Sequence, residues 1–134
     1  MSKTKSKMQE QIDALLTVLD TFNIPVFEDD LAEDEEVEFE KNKYNFFIYE
    51  TGDMVKSDDK KSINQDVIVY YYSENQDDLD EKTVDIISAL SDVKMLTLER
   101  TQKQRLRRKD TDSYVDRIVF IYTRRIVIQG CVGL

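Results

Sequence analysis

Apolar residues recur every three or four positions over residues 7–22, a spacing that predicts an amphipathic helix. The apolar stripe consists of Met8, Ile12, Leu15, Leu16, Leu19 and Phe22. Pro25 disfavours helical backbone at Ile24 and has no N–H to donate to a sheet, so we expect the helix to end before it. A short extended segment is expected at residues 24–27.

The remaining pattern contains four strands and a second helix. Aromatic and β-branched residues predict strands at residues 44–50, 65–73, 95–105 and 114–128. Asp78 and Glu81 have the spacing of a capping box, and the apolar stripe after them predicts a helix over residues 79–91. This order predicts an α+β domain, a mostly antiparallel four-stranded sheet with two helices packed on one face and long mobile loops.

The length of 134 residues fits a single domain, residues 1–134. Several parts of it lack an apolar pattern. We expect a flexible N-terminus at 1–6, an acidic loop at 28–43, a mobile loop at 51–64, a basic turn at 105–113 and a flexible tail at 129–134. Two strand segments, residues 67–72 and 118–122, are continuously apolar, so both of their faces require cover. Either an exposed partner surface remains on the sheet, or loops and curling of the sheet cover it.

Charge is sorted by position along the chain. Residues 1–99 carry 10 basic and 25 acidic residues, net −15, whereas residues 100–134 carry 9 basic and 3 acidic residues, net +6. The candidate acidic interface residues are Glu28, Asp29, Asp30, Glu33, Asp34, Glu35 and Glu36. The candidate basic interface residues are Arg100, Lys103, Arg105, Arg107, Arg108, Lys109 and Arg125. Two opposed electrostatic surfaces suit a protein that meets copies of itself head to tail, or two different partners.

Adjacent residues of a strand point to opposite faces, so Arg124 and Arg125 are expected to diverge. At least one of them then reaches a partner or a buried acid. The basic stretch at residues 100–109 has three interpretations that stay open: a solvated turn, a protein contact or a phosphate contact.

The residue types of enzyme active sites are scarce. The chain has no histidine, so Ser–His and Cys–His nucleophile systems are excluded. Cys131 lies beside glycines near the C-terminus, and three scattered glycines cannot form a phosphate-binding loop. The acidic segment lacks the spacing and central glycine of an EF-hand, which favours a solvated loop over a cation site. We therefore expect no catalytic, cofactor-binding or metal-binding residues.

The single cysteine fits a reducing compartment, since it cannot form an internal disulfide. No apolar run approaches the length of a membrane span. These features predict a soluble protein that is cytoplasmic when synthesised.

The order of segments is similar to one family. A helix leads into the Ile-Pro-Val-Phe-Glu-Asp turn at 24–29, and an acidic stretch precedes Tyr-Asn-Phe-Phe-Ile-Tyr-Glu at 44–50. A strand at 66–73 continues into the second helix, and the last strand contains 116–122. This layout resembles the tail-completion, tail-terminator and head-to-tail joining proteins of long-tailed bacteriophages of Gram-positive hosts, over most of residues 8–128.

The resemblance implies a virion protein at the junction of tail and neck, present in the host cytoplasm before assembly. Such subunits are monomers that assemble into a ring, typically a hexamer, on the tail tube. The implied partners are further copies of the chain, the tail tube protein and the head connector or stopper protein. DNA would pass through the channel. The resemblance implies no catalytic residues and no cofactor.

Two other functions remain open. A nucleic-acid-binding module would use the basic hairpin around residues 100–109. A host-protein adaptor or inhibitor would use the acidic surface to occupy a basic groove. The net charge of −9 opposes non-specific binding to DNA.

Overall fold

A computed structural model of the chain describes residues 3–28, 45–58, 60–74, 78–107 and 114–128. Within these residues there are two helices and five strands, which confirms the α+β class. The elements are α1 (Lys3–Asp20), β1 (Val26–Glu28), β2 (Phe46–Lys56), β3 (Ser62–Ser73), α2 (Leu79–Leu90), β4 (Leu96–Arg107) and β5 (Tyr114–Val127).

Helix α1 begins earlier than the apolar stripe indicated. It includes residues 3–6, which the sequence predicted to be flexible, and it ends at Asp20. The turn after it is closed by Thr21 N–H, which donates to the Val18 carbonyl at 3.1 Å. Asn23 then adopts a φ of 60°, a left-handed conformation that asparagine tolerates at the end of a helix. The stripe is correct, because Leu15 and Leu19 are fully buried.

The strands form one mixed sheet in the order β1-β2-β3-β5-β4. Strand β1 pairs with β2 in parallel, and all other pairs are antiparallel. The sequence analysis therefore predicted one strand fewer than the sheet contains. The extended segment after Pro25 joins the sheet edge, where the Phe47 N–H donates to the Pro25 carbonyl at 2.8 Å. Proline is accepted there because only its carbonyl is needed.

The predicted mobile loop at residues 51–64 is wrong. Strand β2 continues to Lys56, and β3 begins at Ser62. Residues 51–56 are exposed along an edge, so no buried face marks them in the sequence. Their backbone pairs with β3 instead, with a bulge between Thr51 and Met54. A second bulge lies in β4, between Leu98 and Arg100.

Helix α2 begins where the sequence predicted, but the capping box does not form. Asp78 makes no side-chain cap hydrogen bond. Its carbonyl accepts the Lys82 N–H at 2.9 Å instead. Asp80 and Glu81 lie in the first helical turn, where negative charge favours the helix dipole.

Both described helices pack on the same face of the sheet. The core on this side contains Leu15, Leu19, Phe47, Tyr49, Val67, Val69, Tyr71, Ile86, Leu90, Val93, Ile118, Phe120 and Tyr122. A smaller cluster of Phe27, Phe46 and Ile48 lies on the face turned away from the helices, which we call the second face. Tyr70 and Tyr72 pack against this cluster and are half-buried. The apolar residues at this end of the second face are therefore largely covered.

Candidate interaction surfaces

The order of strands places Glu28 and the basic strand at opposite edges of the sheet. Glu28 ends β1 at one edge of the sheet, and β4 forms the opposite edge. At about 4.8 Å between neighbouring strands, the two edges are about 19 Å apart. The remaining acidic candidates, residues 29–36, lie outside the described part of the chain. Glu28 itself is exposed and marks where the acidic segment begins.

The basic candidates on β4 differ in what they contact. Lys103 donates to Asp80 of α2 at 2.6 Å, and Arg105 donates to Asp116 of β5 at 3.0 Å. Arg100 is exposed, and no ion pair to it is found among the described residues. Arg107 ends β4, but its side chain lies outside the described part, as do Arg108 and Lys109. The basic stretch is thus an edge strand over residues 100–107 rather than a turn from residue 105.

The prediction that Arg124 and Arg125 point to opposite faces is confirmed, and the acceptors of Arg124 are neutral groups rather than a buried acid. Arg124 is buried on the helix side, with 5% of its surface exposed. Its Nε donates to Gln65 Oε1 at 2.8 Å and its Nη1 to the Met8 carbonyl at 3.3 Å, so both acceptors are neutral. Burial lowers the pKa of Arg124.

Arg125 points the other way and is exposed, as the alternation of the strand requires. Its Nε donates to Ser62 Oγ at 3.1 Å. Its carbonyl accepts the Gln11 side chain at 2.9 Å. Arg125 therefore fixes α1 and β3 to β5 while part of its guanidinium remains at the surface.

A ladder of aromatic and polar side chains crosses the second face, and sequence reasoning missed it. The Phe27 and Phe46 rings meet edge to face, with centroids 5.9 Å apart. Phe46 stacks on Tyr72 at 4.5 Å. The Arg117 guanidinium lies 5.8 Å from the Tyr72 ring and donates to Gln104 Oε1 at 2.8 Å. Each step joins adjacent strands, so one side chain per strand links all five strands.

Tyr70 extends this ladder sideways. Its hydroxyl donates to Glu50 Oε1 at 2.7 Å, and Arg117 lies 5.6 Å from its ring. Burial, the hydrogen bond to Glu50 and the nearby negative charge raise the pKa of Tyr70 to about 12. The continuous aromatic run at residues 70–72 was the signal in the sequence, but the partners of these rings could not be read from it.

A groove of about 660 Å³ lies between α1 and the loop that precedes β4. Ala14, Val18, Val93 and Met95 line it with apolar surface, and Gln11 contributes a buried Oε1 that has no hydrogen-bond partner. Its rim carries both signs of charge, from Lys7, Glu10, Asp92 and Lys94. The lining contains no nucleophile paired with a base.

In the described part of the chain, no group of three or more acidic or cysteine side chains is placed to hold a metal ion. No helix in that part of the chain is long and apolar enough to cross a bilayer.

The sequence matches no protein-family model, and no curated protein matches it.

Proposed function

We propose that the chain is a structural virion protein that completes the tail of a long-tailed bacteriophage. It caps the end of the tail tube and joins the tail to the head connector. Free subunits are monomers, and they assemble into a ring, taken to be a hexamer, in the virion. The protein performs no reaction and requires no cofactor.

The supporting observation is that unlike charges occupy opposite edges of one sheet. The acidic segment starts at Glu28 on the β1 edge, and exposed Arg100 lies on the β4 edge. A ring needs a heterologous contact, in which one surface of a subunit meets a different surface of the next. Opposite edges of opposite sign meet this requirement, since each subunit then presents an acidic edge to one neighbour and a basic edge to the other.

The contacts of the basic residues argue against a nucleic-acid-binding module. Lys103 and Arg105 already donate to carboxylates of the same chain. A phosphate would have to compete with these carboxylates, which lowers the gain from counterion release. Failure of the purified protein to retard DNA at low salt would support this view.

A host-protein adaptor makes a different prediction. It would form a one-to-one complex with its target and would not form rings. Electron microscopy of virions that contain the labelled chain separates the two proposals, because only the tail protein is expected at the junction of head and tail.

The test of the proposed function is to delete the gene from the phage that encodes it and to examine tails by electron microscopy. We expect abnormally long tubes or tails that fail to join heads, and recovery when the intact gene is supplied. Tails of normal length that join heads without the protein would contradict the proposal.

A further inference from the structure

Among the described residues the sheet has two open edges, and they run in opposite directions. Strand β4 is one of them. At the other, strand β1 pairs with β2 only at residues 47–49, and no described strand pairs with the outer side of residues 50–56. From β2 through β3 and β5 to β4 every pairing is antiparallel, so β4 runs opposite to β2.

Because the two edge strands run in opposite directions, they can pair between neighbouring copies that are related by a rotation. If a neighbour is related by rotation about an axis parallel to the strands, its β2 edge arrives antiparallel to β4. Antiparallel pairing is the arrangement in which adjacent strands exchange perpendicular hydrogen bonds. The helices of both copies then lie on the same side of a continued sheet.

The cross-strand register brings matching residues to the same level of the two edges. One row joins, in order across the sheet, Glu50, Ile68, Ile121 and Arg100. A rotation without a shift along the strands therefore places exposed Arg100 of one copy beside Glu50 of the next. Both side chains lie on the second face, so an acid and a base of opposite edges meet at one position.

Exposed apolar residues of the two edges also lie at the same level along the strands. A second row joins Met54, Gln65, Arg124 and Leu96. In the row beside it, Val55 pairs with Asn64, Asn64 pairs with Arg125, and the Arg125 N–H donates to the Met95 carbonyl at 2.9 Å. Met54, Val55 and Met95 are 50%, 64% and 48% exposed. Met54 shares the helix side with its partner Gln65, and Met95 lines the groove beside α1, so these two exposed side chains of adjacent copies would cover one another in such a joint.

From these observations we infer that neighbouring copies join edge to edge, with β4 of one copy pairing antiparallel with residues 50–56 of β2 in the next. This inference rests on the proposed ring. It adds the strands, their direction and their register. The bulges and charges of both edges oppose pairing with unrelated strands. A second copy of this chain can still pair, because its residues match across the two edges.

Cysteine crosslinking tests the joint in finished virions. In a chain with Cys131→Ser, the double variant Met54→Cys with Met95→Cys places one thiol on each edge, both on the helix side. We expect mild oxidation to give a ladder of covalent multimers up to the ring. Each single variant alone should remain monomeric under the same treatment. The matched control is Met54→Cys with Val84→Cys, since Val84 is at least as exposed as Met95, 64% against 48%, but lies on α2.

The outcomes distinguish this joint from the proposed function. Virion rings that give no ladder would overturn the edge-to-edge joint and leave the tail function standing. Dimers from a single variant would show two-fold pairing of like edges and would also overturn it. Absence of the chain from virions would contradict the proposed function itself.

A charge exchange gives a second measurement that does not depend on thiol geometry. Arg100→Glu is expected to weaken each joint about fivefold, the size of a well-placed surface ion pair. Adding Glu50→Lys to Arg100→Glu restores the opposite charges in reversed order and is expected to recover ring formation. Failure of the double variant to recover, with no greater loss of stability than the missing Tyr70–Glu50 hydrogen bond accounts for, would contradict the register.

Discussion

Two tyrosines show that a hydroxyl group can raise or lower the stability of the fold, depending on whether it has a hydrogen-bond partner. Tyr122 is 2% exposed, and its hydroxyl has no hydrogen-bond partner among the described residues. Tyr70 donates its hydroxyl to Glu50 at 2.7 Å. A buried polar group without a partner costs free energy, whereas a formed hydrogen bond contributes about 1 kcal/mol.

This contrast predicts opposite effects for one chemical change. Tyr122→Phe is expected to leave the free energy of unfolding unchanged or to raise it, since an unpaired hydroxyl is removed. Tyr70→Phe is expected to lower it by about 1 kcal/mol. Urea unfolding of the two variants and the wild type measures both. A loss in Tyr122→Phe equal to that in Tyr70→Phe would show that the Tyr122 hydroxyl is bonded in solution.

The same two phenols predict how stability changes in alkali. Their pKa values are raised to about 12 in the folded chain, for Tyr122 by burial and for Tyr70 chiefly by burial with help from Glu50. The unfolded chain releases these protons near pH 10, so their contribution to folding is complete below pH 10 and is lost as pH rises toward about 12.

The measurement is unfolding from pH 8 to 12 for the wild type and for Tyr70→Phe with Tyr122→Phe. We expect the double variant to lose less stability over that range, because both late-titrating phenols are absent. Equal losses would contradict the raised pKa values. Comparison with the wild type removes the effects of the other alkaline groups.

At the level of elements, two side-chain hydrogen bonds that the sequence did not predict attach α1 to the sheet. Arg124 of β5 donates to the Met8 carbonyl, and Gln11 of α1 donates to the Arg125 carbonyl. Both attach the first half of the helix, whereas its second half is held by buried Leu15 and Leu19.

Replacing Arg124 by Met is therefore expected to loosen the start of α1. The apolar stem is kept, but Gln65 Oε1 and the Met8 carbonyl lose their donor, at a cost of about 1–3 kcal/mol. Hydrogen exchange is expected to rise at residues 8–12 more than at residues 15–19. A uniform rise over the whole helix would indicate general destabilisation. Glu10→Gln, on the exposed side of α1, serves as the control.

The sequence predicted both helices, most of β3, β4 and β5 and the inner half of β2. Apolar stripes located the helices, because burial of one face imposes a period, and aromatic and β-branched residues located the strands. The outer half of β2 has no buried side and is held by backbone pairing, which leaves no period to read. Strand β1 is three residues long and depends on a distant partner, β2. The candidate charged residues could be read from the sequence. Their partners could not, because the ion pairs of Lys103 and Arg105 depend on how α2 and β5 pack against β4.

At the level of the whole molecule, the arrangement of charge predicts salt-dependent assembly. Exposed charges are screened beyond about 10 Å at 0.1 M salt and beyond about 3 Å at 1 M. Incorporation of the purified chain into tails that lack it is therefore expected to slow as salt rises from 0.1 M to 1 M. Light scattering or electron microscopy of joined particles measures the rate. Assembly that is insensitive to salt would contradict guidance by the two charged edges.

The matched control for this measurement is Lys7→Glu, which changes the net charge as much as Arg100→Glu does but lies on α1. We expect Arg100→Glu to reduce the rate at low salt and Lys7→Glu to have a smaller effect. Equal effects would show that net charge matters and that its position does not.

The ends of the strands have a consequence for the orientation of an assembled ring. The connection from β2 to β3 and the start of β4 lie at one end of the sheet, and the start of β2 and the end of β3 lie at the other. Rotation about an axis along the strands keeps these ends apart, so the ring has two chemically distinct rims. Such a ring is polar: one rim can be specific for the tube and the other for the connector, and an inverted ring would present the wrong rim to both.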